Sequence, residues 1–406
     1  MENQRGSGVG DVKLQNRRLV LRTIVARPMI SRAEIAEATG LSKMSVTNIV
    51  GELMQAGVVC EPAQGRGETG APGRRPGYLD LSAGSPCEIG VFISRHSVRV
   101  SVGDLRARVL WTKDLPYPAE MDAPTLINLA LDGVRAALRQ CRRPVLGIGV
   151  VAIGPVNSER GTLLRPANFF GLHDIPIVRA VADETGYPVF LASDNMAGAQ
   201  GEKLYGEGRA HENFLFLLLW EGIGCGVVVD GKLHTGSHGV GGELGHNSIC
   251  FDGPPCSCGS RGCLESYANT RRMAAQVRER IASGAHSALS GKPLDWNAIL
   301  AAAIAGDAPA LEAVESYCDY LSCALVNMVN MFDPEIIYVC QHGDRAAGEL
   351  LSRMLEARVN ARMLAPDCRR VALKCASFGE DAVVIGSLAL VARRAFDGSL
   401  PIIPSL

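Results

Sequence analysis

Two hydrophobic rhythms divide the chain. At its start, apolar positions recur at helical spacing: Leu14, Leu19, Val20, Ile24 and Val25 share a face, and Pro28 ends the run. Ser31 stands three residues before Glu34, so the spacing predicts a capping box at a helix N-terminus. That helix carries Ile35 and Ala36 inward and stops at Thr39 and Gly40. Ser42 then caps a third helix with Val46, Ile49, Val50 and Leu53 on its buried face. Helix, glycine turn, helix is the order of a helix-turn-helix. Residues 58–61 and 78–81 read as strands around a glycine-rich stretch, which makes a wing.

From residue 86 onward, strands alternate with helices. Segments 88–93, 98–102 and 107–111 predict a three-strand meander, followed by a helix over 125–141 and a buried strand over 145–153. A strand at 189–191 leads to Asp194 and a helix from about Met196. A second set follows, with strands at 214–219, 224–230, 336–339 and 371–375. Two α/β lobes with a cleft between them fit this order. The expected division is a DNA-reading domain over 1–85 and a two-lobed domain over 86–406. The longest strongly apolar run, 214–220, is too short to span a bilayer, and residues 1–13 lack the apolar core of a signal peptide. The expectation is a cytoplasmic protein with no membrane partner.

Charge sharpens the first domain. The 406 residues carry 41 basic and 42 acidic groups, a net charge of −1, which excludes a uniformly basic nucleic-acid coat. Up to Pro86, however, eleven basic residues face eight acidic ones, a local +3. Ser42, Lys43, Ser45, Thr47 and Asn48 cluster at the start of the third helix, where short polar groups reach phosphates and base edges. Arg66, Arg74 and Arg75 lie at the wing tip and suit phosphates or a minor groove. The expected partner is double-stranded operator DNA; the bland alternative is a small helical protein-interaction domain with a solvated basic loop.

Of thirteen cysteines, nine are scattered and Cys250, Cys256, Cys258 and Cys263 crowd together. Cys256, Cys258 and Cys263 follow a C-x-C-x4-C spacing, and His246 precedes them by ten residues. Three thiolates and an imidazole close a tetrahedral Zn²⁺ shell with no open position, a structural site with one ion per chain. The alternative is a set of buried free thiols. Cys250 is expected to pack in the core.

The motifs that carry chemistry are Gly147-Ile-Gly-Val, Gly154-Pro155, Asn168, Ser193-Asp194, the glycine-rich turn 222–226, and the stretches 241–246 and 256–265. In these the chain resembles the ROK family of repressors, open reading frames and kinases, in its repressor branch, over nearly its whole length. The resemblance implies an α/β fold class: an N-terminal winged helix-turn-helix joined to an actin-like, hexokinase-like pair of lobes. It implies a sugar or polyol ligand at Asn168, Asp194, Glu243, His246 and Glu265, with His246 joining metal to ligand. It also implies a homodimer or homotetramer on two DNA half-sites.

Family kinases carry D-x-G-G-T after the first strand; here Phe92-Ile93-Ser94-Arg95-His96 stands in its place. Phosphate cradling needs bare backbone amides close to the ligand, which these side chains crowd. Glu221 replaces a usual Thr in the second phosphate turn, and Cys340-Gln341 replaces paired glycines in the adenosine turn. The kinases' N-D-A-N reads Ser193-Asp194-Asn195-Met196, which opens the identity of the ligand. The expectation is a non-enzymatic, sugar-responsive repressor of transport and catabolic genes. The rival is an active ATP-dependent sugar kinase with an added DNA-binding domain.

Overall fold

The computed structural model describes residues 9–62, 77–220 and 222–402. Arg66, Arg74, Arg75 and Glu221 lie outside the described residues. The first unit comprises α1 (Val9–Ala26), β1 (Ile30–Ser31), α2 (Arg32–Thr39), α3 (Lys43–Gln55), β2 (Val59–Cys60) and β3 (Tyr78–Leu81). The capping box is present: Glu34 N–H donates to Ser31 Oγ at 3.2 Å, and Ser31 N–H donates to the Glu34 carboxylate at 2.7 Å. Gly40, at φ +69°, ends α2 in the left-handed conformation a side chain disfavours. Ser42 Oγ caps α3 by accepting from Ser45 N–H at 3.1 Å. β3 pairs with both β2 and β1, so the wing sheet gains a strand too short to leave a period in the sequence.

The first lobe contains β4 (Cys87–Ile93), β5 (Ser97–Asp104), β6 (Val109–Pro116), α4 (Ala123–Gln140), β7 (Val145–Ala152), the small pair β8 (Val156–Asn157) and β9 (Thr162–Leu163), α5 (Ile177–Thr185), β10 (Val189–Ser193) and α6 (Asp194–Tyr205). Its sheet runs β10-β7-β4-β5-β6. The second lobe contains β11 (Phe214–Leu219), β12 (Ile223–Val229), β13 (Lys232–Leu233), α7 (Thr270–Ala282), α8 (Trp296–Ile304), α9 (Ala308–Phe332), β14 (Ile336–Gln341), α10 (Arg345–Arg362), β15 (Ala372–Cys375) and α11 (Ala382–Asp397), with sheet order β13-β12-β11-β14-β15.

Alternation along β4 explains how the layers stack. Ile89, Val91 and Ile93 join the core under α4, while Gly90 faces α11. A Cβ at Gly149 would fall on the Ser387 carbonyl of α11, so the bare backbone is what lets that helix approach the sheet. α11 and α6 pack on each other between the two sheets. The other face of the second sheet is covered by the helices from α7 to α10.

Two sequence expectations are corrected. The third meander strand is β6, Val109–Pro116, rather than 107–111: Ala107 sits at φ +54° in a turn held by Asp104, which accepts from the Arg106 and Arg108 amides. The helix expected from about Met196 begins at Asp194 itself. The winged helix is also not a free appendage. Val20, Leu21, Ile24 and Leu53 share one apolar cluster with Leu105 and Leu146 of the first lobe and Ala395 and Phe396 of α11. Among the described residues, no single helix is long and apolar enough to cross a membrane.

Candidate functional site

Asp194 opens α6 at the end of β10, where the first lobe meets the cleft. Its Oδ1 accepts from the Asn195 amide at 2.8 Å. Burial pushes its carboxyl up to about 6; Glu265 pushes the same way, and Arg95 opposes. Glu243 follows Gly242, which is at φ +83° and whose added Cβ would strike the Cys225 carbonyl. Burial, then the charge of Asp194, raises Glu243 to about 7, against the pull of His246. Glu265 accepts from the Ile223 amide at 3.1 Å, tying the glycine turn at 222–226 to the segment after Cys263. Asp194, Glu243, His246 and Glu265 line one cavity of about 220 Å³, together with Arg95 and His96.

Asn168 is placed apart from these four. It lies in a left-handed turn at φ +54° and lines a neighbouring outer cleft of about 910 Å³. Glu265, Arg95 and His96 border both spaces, and Arg271 and Arg272 flank the outer one. Ser193 and Met196, the two departures from the kinase motif, are buried. The Ser193 hydroxyl donates to Asn195 Oδ1 at 2.6 Å, while Asn195 Nδ2 donates to the Gly242 carbonyl at 2.9 Å. Asn195 therefore bridges the first lobe to the loop that carries Glu243.

His246, Cys256, Cys258 and Cys263 converge, with one donor atom from each lying within 4.8 Å of the others. The His246 Nδ1–Cys256 Sγ and Cys258 Sγ–Cys263 Sγ distances are both 3.7 Å. A tetrahedron with Zn–S bonds of about 2.3 Å has edges of roughly 3.8 Å, so this donor set fits the ion in size and softness. The loop is folded by its own backbone: Cys256 N–H donates to Ser260 O at 2.8 Å, and Gly262, at φ +67°, leaves room for the Cys250 carbonyl. Cys250 is not in the core as expected. It is exposed, with its sulfur 3.1 Å from Asp252 Oδ1, because residues 250–254 wrap outside the cluster.

Across the same cavity, the β4–β5 turn closes on itself. Ser94 Oγ accepts from the His96 and Ser97 amides at 3.2 and 3.1 Å. Arg95 donates to the Ala167 carbonyl. Trp220 packs against Phe92 and His342, with ring centroids 6.4 and 5.2 Å away. In the late turn, Gln341 accepts from the Trp296 indole at 3.0 Å and donates to Asp344 O at 2.7 Å. Trp220 and His342 also line the inner cavity and escaped the sequence reading, since no local period marks residues that meet from strand ends about 120 positions apart.

On α3, Ser42, Lys43, Thr47 and Asn48 are exposed and Ser45 is half-buried. Ser42 and Ser45 are engaged with each other at 2.9 Å, and Thr47 Oγ1 donates to the Lys43 carbonyl at 2.8 Å. Lys43 and Asn48 thus extend from the face, beside Met44, which is 70% exposed and escaped the sequence reading because it is apolar.

The comparisons agree with this geometry. A winged helix-turn-helix DNA-binding model matches residues 14–59. The xylose repressor of Caldicellulosiruptor bescii is 28% identical over 94% of this chain and 96% of its own. A crystal structure of a ROK family transcriptional regulator, a homologue of the E. coli MLC protein, superposes with a TM-score of 0.79 at 27% identity, covering 95% of this chain and 97% of that one. A ROK family glucokinase from Streptomyces griseus, solved with glucose and AMPPNP, gives a TM-score of 0.67 at 27% identity over 75% of this chain and 98% of its own. The ROK family model itself matches residues 88–394, and the chain belongs to the ROK family.

Proposed function

We propose that the chain is a sugar- or polyol-responsive DNA-binding repressor of transport or catabolic genes, working in the cytoplasm as a homodimer or homotetramer. The observation that carries this reading is the pairing of an exposed α3 face with a carboxylate-lined cavity in one chain, while the turn facing that cavity spends its amides on Ser94. The repressor named among its relatives and the regulator that superposes along almost the whole chain support it.

Residues 1–85 read operator DNA, through Ser42, Lys43, Ser45, Thr47 and Asn48 and the wing arginines Arg66, Arg74 and Arg75. Residues 86–406 bind the effector. Carboxylates at Asp194, Glu243 and Glu265 accept from ligand hydroxyls, Asn168 adds an amide at the outer rim, and His246 presents its ring to the cavity. Zinc held by His246, Cys256, Cys258 and Cys263 fixes the loop on which Glu265 follows two residues after Cys263.

A contiguous path joins the two functions. α6 starts at Asp194 and ends at Tyr205, whose hydroxyl donates to the Leu105 carbonyl at 3.1 Å. The next residue, Arg106, donates to the Ile24 and Val25 carbonyls at the end of α1, at 2.9 Å each, and pairs with Asp80 of the wing strand at 2.6 Å. Ligand contact at Asp194 reaches the reading head through this route, by no more than the ligand's preference for one lobe arrangement.

The test is fluorescence anisotropy on the DNA upstream of the protein's own gene, with a panel of sugars and polyols. One of them should lower the affinity, and deletion of 1–85 should abolish specific binding. Retained specific binding by the truncated chain refutes the assignment. A coupled ATP assay on the same panel addresses the kinase reading, which an Asp194 carboxyl raised to about 6 favours as a general base. Sugar-dependent turnover that vanishes in Asp194→Asn establishes it.

A further inference from the structure

Cys87 and Cys141 lie far from the metal cluster in sequence but touch each other, with Sγ atoms 3.7 Å apart. Cys87 is the first residue of β4 and is buried, its amide donating to Pro144 O at 2.9 Å. Cys141 follows the last turn of α4 as its C-cap and is half-exposed. The two therefore differ in access: solvent reaches one sulfur, and the other waits behind it. They differ in acidity as well. The hydrogen bond from Cys87 holds the Cys141 thiol below its ordinary value, against its partial burial, and Arg143 lowers it further. The Cys87 thiol is raised by that same contact and by burial.

We infer that Cys87 and Cys141 form a peroxide-oxidisable dithiol, in which Cys141 is the attacking thiol and Cys87 the resolving one. An accessible thiol beside a buried partner is the arrangement that turns a first oxidation into a disulfide. In the first step the Cys141 thiolate attacks hydrogen peroxide: an S–O bond forms, the O–O bond breaks, and the departing hydroxide takes a proton to become water. In the second, the Cys87 sulfur attacks the Cys141 sulfenic acid. An S–S bond forms, the S–O bond breaks, and the hydroxide leaves with the Cys87 proton as a second water. The two thiols give up two electrons and the peroxide accepts them. The sulfurs must close by roughly 1.6 Å to reach bonding distance, a movement that rotation of Cys141 at the helix end can supply. The bond forms beside the joint between domains: Cys87 pairs with Val145, and the next residue, Leu146, packs in the core shared with the winged helix.

The experiment uses the full zinc-loaded chain with up to tenfold hydrogen peroxide, then alkylation of remaining thiols in denaturant so that buried Cys87 is reached, proteolysis without reductant, and mass spectrometry. The expected result is a peptide pair linking Cys87 to Cys141 in most chains, lost on treatment with dithiothreitol. Cys87→Ser should trap Cys141 as a sulfenic acid that reacts with dimedone, and Cys141→Ser should leave Cys87 alkylatable. The inference is overturned if Cys141 stays alkylatable at doses that oxidise the exposed Cys323 and Cys368. It is equally overturned if wild-type Cys141 proceeds to sulfinic acid without the link. The linked peptide is read in the wild-type chain, so no variant has to fold for the outcome to decide.

Discussion

One cavity has two unlike walls: at its acidic end stand three carboxylates, Asp194, Glu243 and Glu265; at its packed end the amides of the β4–β5 turn bond inward to Ser94 and the Trp220 and His342 rings lie together. The two ends belong to one fold, yet they answer different chemical demands. The first offers acceptors at a cost: burial has driven Asp194 to about 6 and Glu243 to about 7, so the fold gathers carboxyls whose charged forms burial disfavours. The second has its backbone donors already engaged. Ser94 Oγ takes two amides that a phosphate would need, and Gln341 with Trp296 occupies the late turn. The contrast teaches that one two-lobed cleft can set carboxylate acceptors opposite a turn whose backbone amides are already bonded within the chain.

The most damaging test of the acidic end is to remove what holds it. Metal analysis should give one zinc per chain, and Cys258→Ser should lose it. Effector affinity, read by calorimetry, should then fall by roughly 100-fold, because Glu265 is positioned through this loop. Full affinity without metal would separate the cluster from the cavity and break the comparison at its root.

Asp194→Asn comes next, and it should move two quantities in opposite directions. A charged hydrogen bond is worth about 1.5–3 kcal/mol, so effector binding should weaken by roughly 10- to 100-fold. The ligand-free chain should instead become more stable at pH 7.5, by about 1–3 kcal/mol, because the variant has no carboxylate to desolvate. The sign follows from the raised carboxyl. The folded state keeps the proton between the ordinary carboxylate range and about 6, so the wild type loses stability as pH rises through that window. The gap between variant and wild type should close below about pH 4. Thermal melts at both pH values check this, and a destabilised variant at pH 7.5 contradicts it.

Gln341→Gly tests the packed end. It restores a glycine in the late turn but leaves the buried Trp296 N–H without its acceptor. Stability should drop by about 1–3 kcal/mol with no gain of ATP binding. Measurable ATP affinity in this variant would show that one side chain, rather than the whole rearranged half, keeps nucleotide out.

Legibility followed the range of the contacts. The Ser31–Glu34 capping box and the 256–263 thiol spacing are local, a few residues carrying their own geometry, and the structure places them together. Asp194, Glu243 and Glu265, which the structure brings to one cavity, stood out only through motif likeness: Glu243 beside a glycine turn, Glu265 two residues after Cys263, and Asp194 where a strand gives way to a helix. The β6 boundary was not readable, because Leu105, Ala107 and Val109 alternate with Arg106 and Arg108 and so imitate a strand through the left-handed turn at Ala107. Cys250 misled for a related reason: its apolar neighbours Ile249 and Phe251 suggest a core, yet Phe251 is 90% exposed and the loop wraps outside the cluster. The seam was invisible because α11 meets α1 across most of the chain length, and a helical stripe does not reveal which helix it faces.

That seam yields the smallest effect and the finest test. Arg106→Ala removes donors from two α1 carbonyls and the partner of Asp80, while Tyr205→Phe removes one hydroxyl from Leu105 O. Neither residue lines the cavity or stands on α3, so effector affinity in the isolated chain and DNA affinity without effector should each stay within about threefold of wild type. What should shrink is the coupling between the two: the factor by which effector lowers DNA affinity. Allosteric coupling is typically about 1–3 kcal/mol, and Tyr205→Phe should remove only part of it, Arg106→Ala more. The measurement is a thermodynamic cycle, with DNA affinity taken with and without saturating effector for the wild type, each variant and the double variant. If the path through α6 is shared, the double variant loses no more coupling than Arg106→Ala alone. Additive losses would mean two independent routes, and an unchanged factor would mean that α11, packed on both α6 and α1, carries the signal without them.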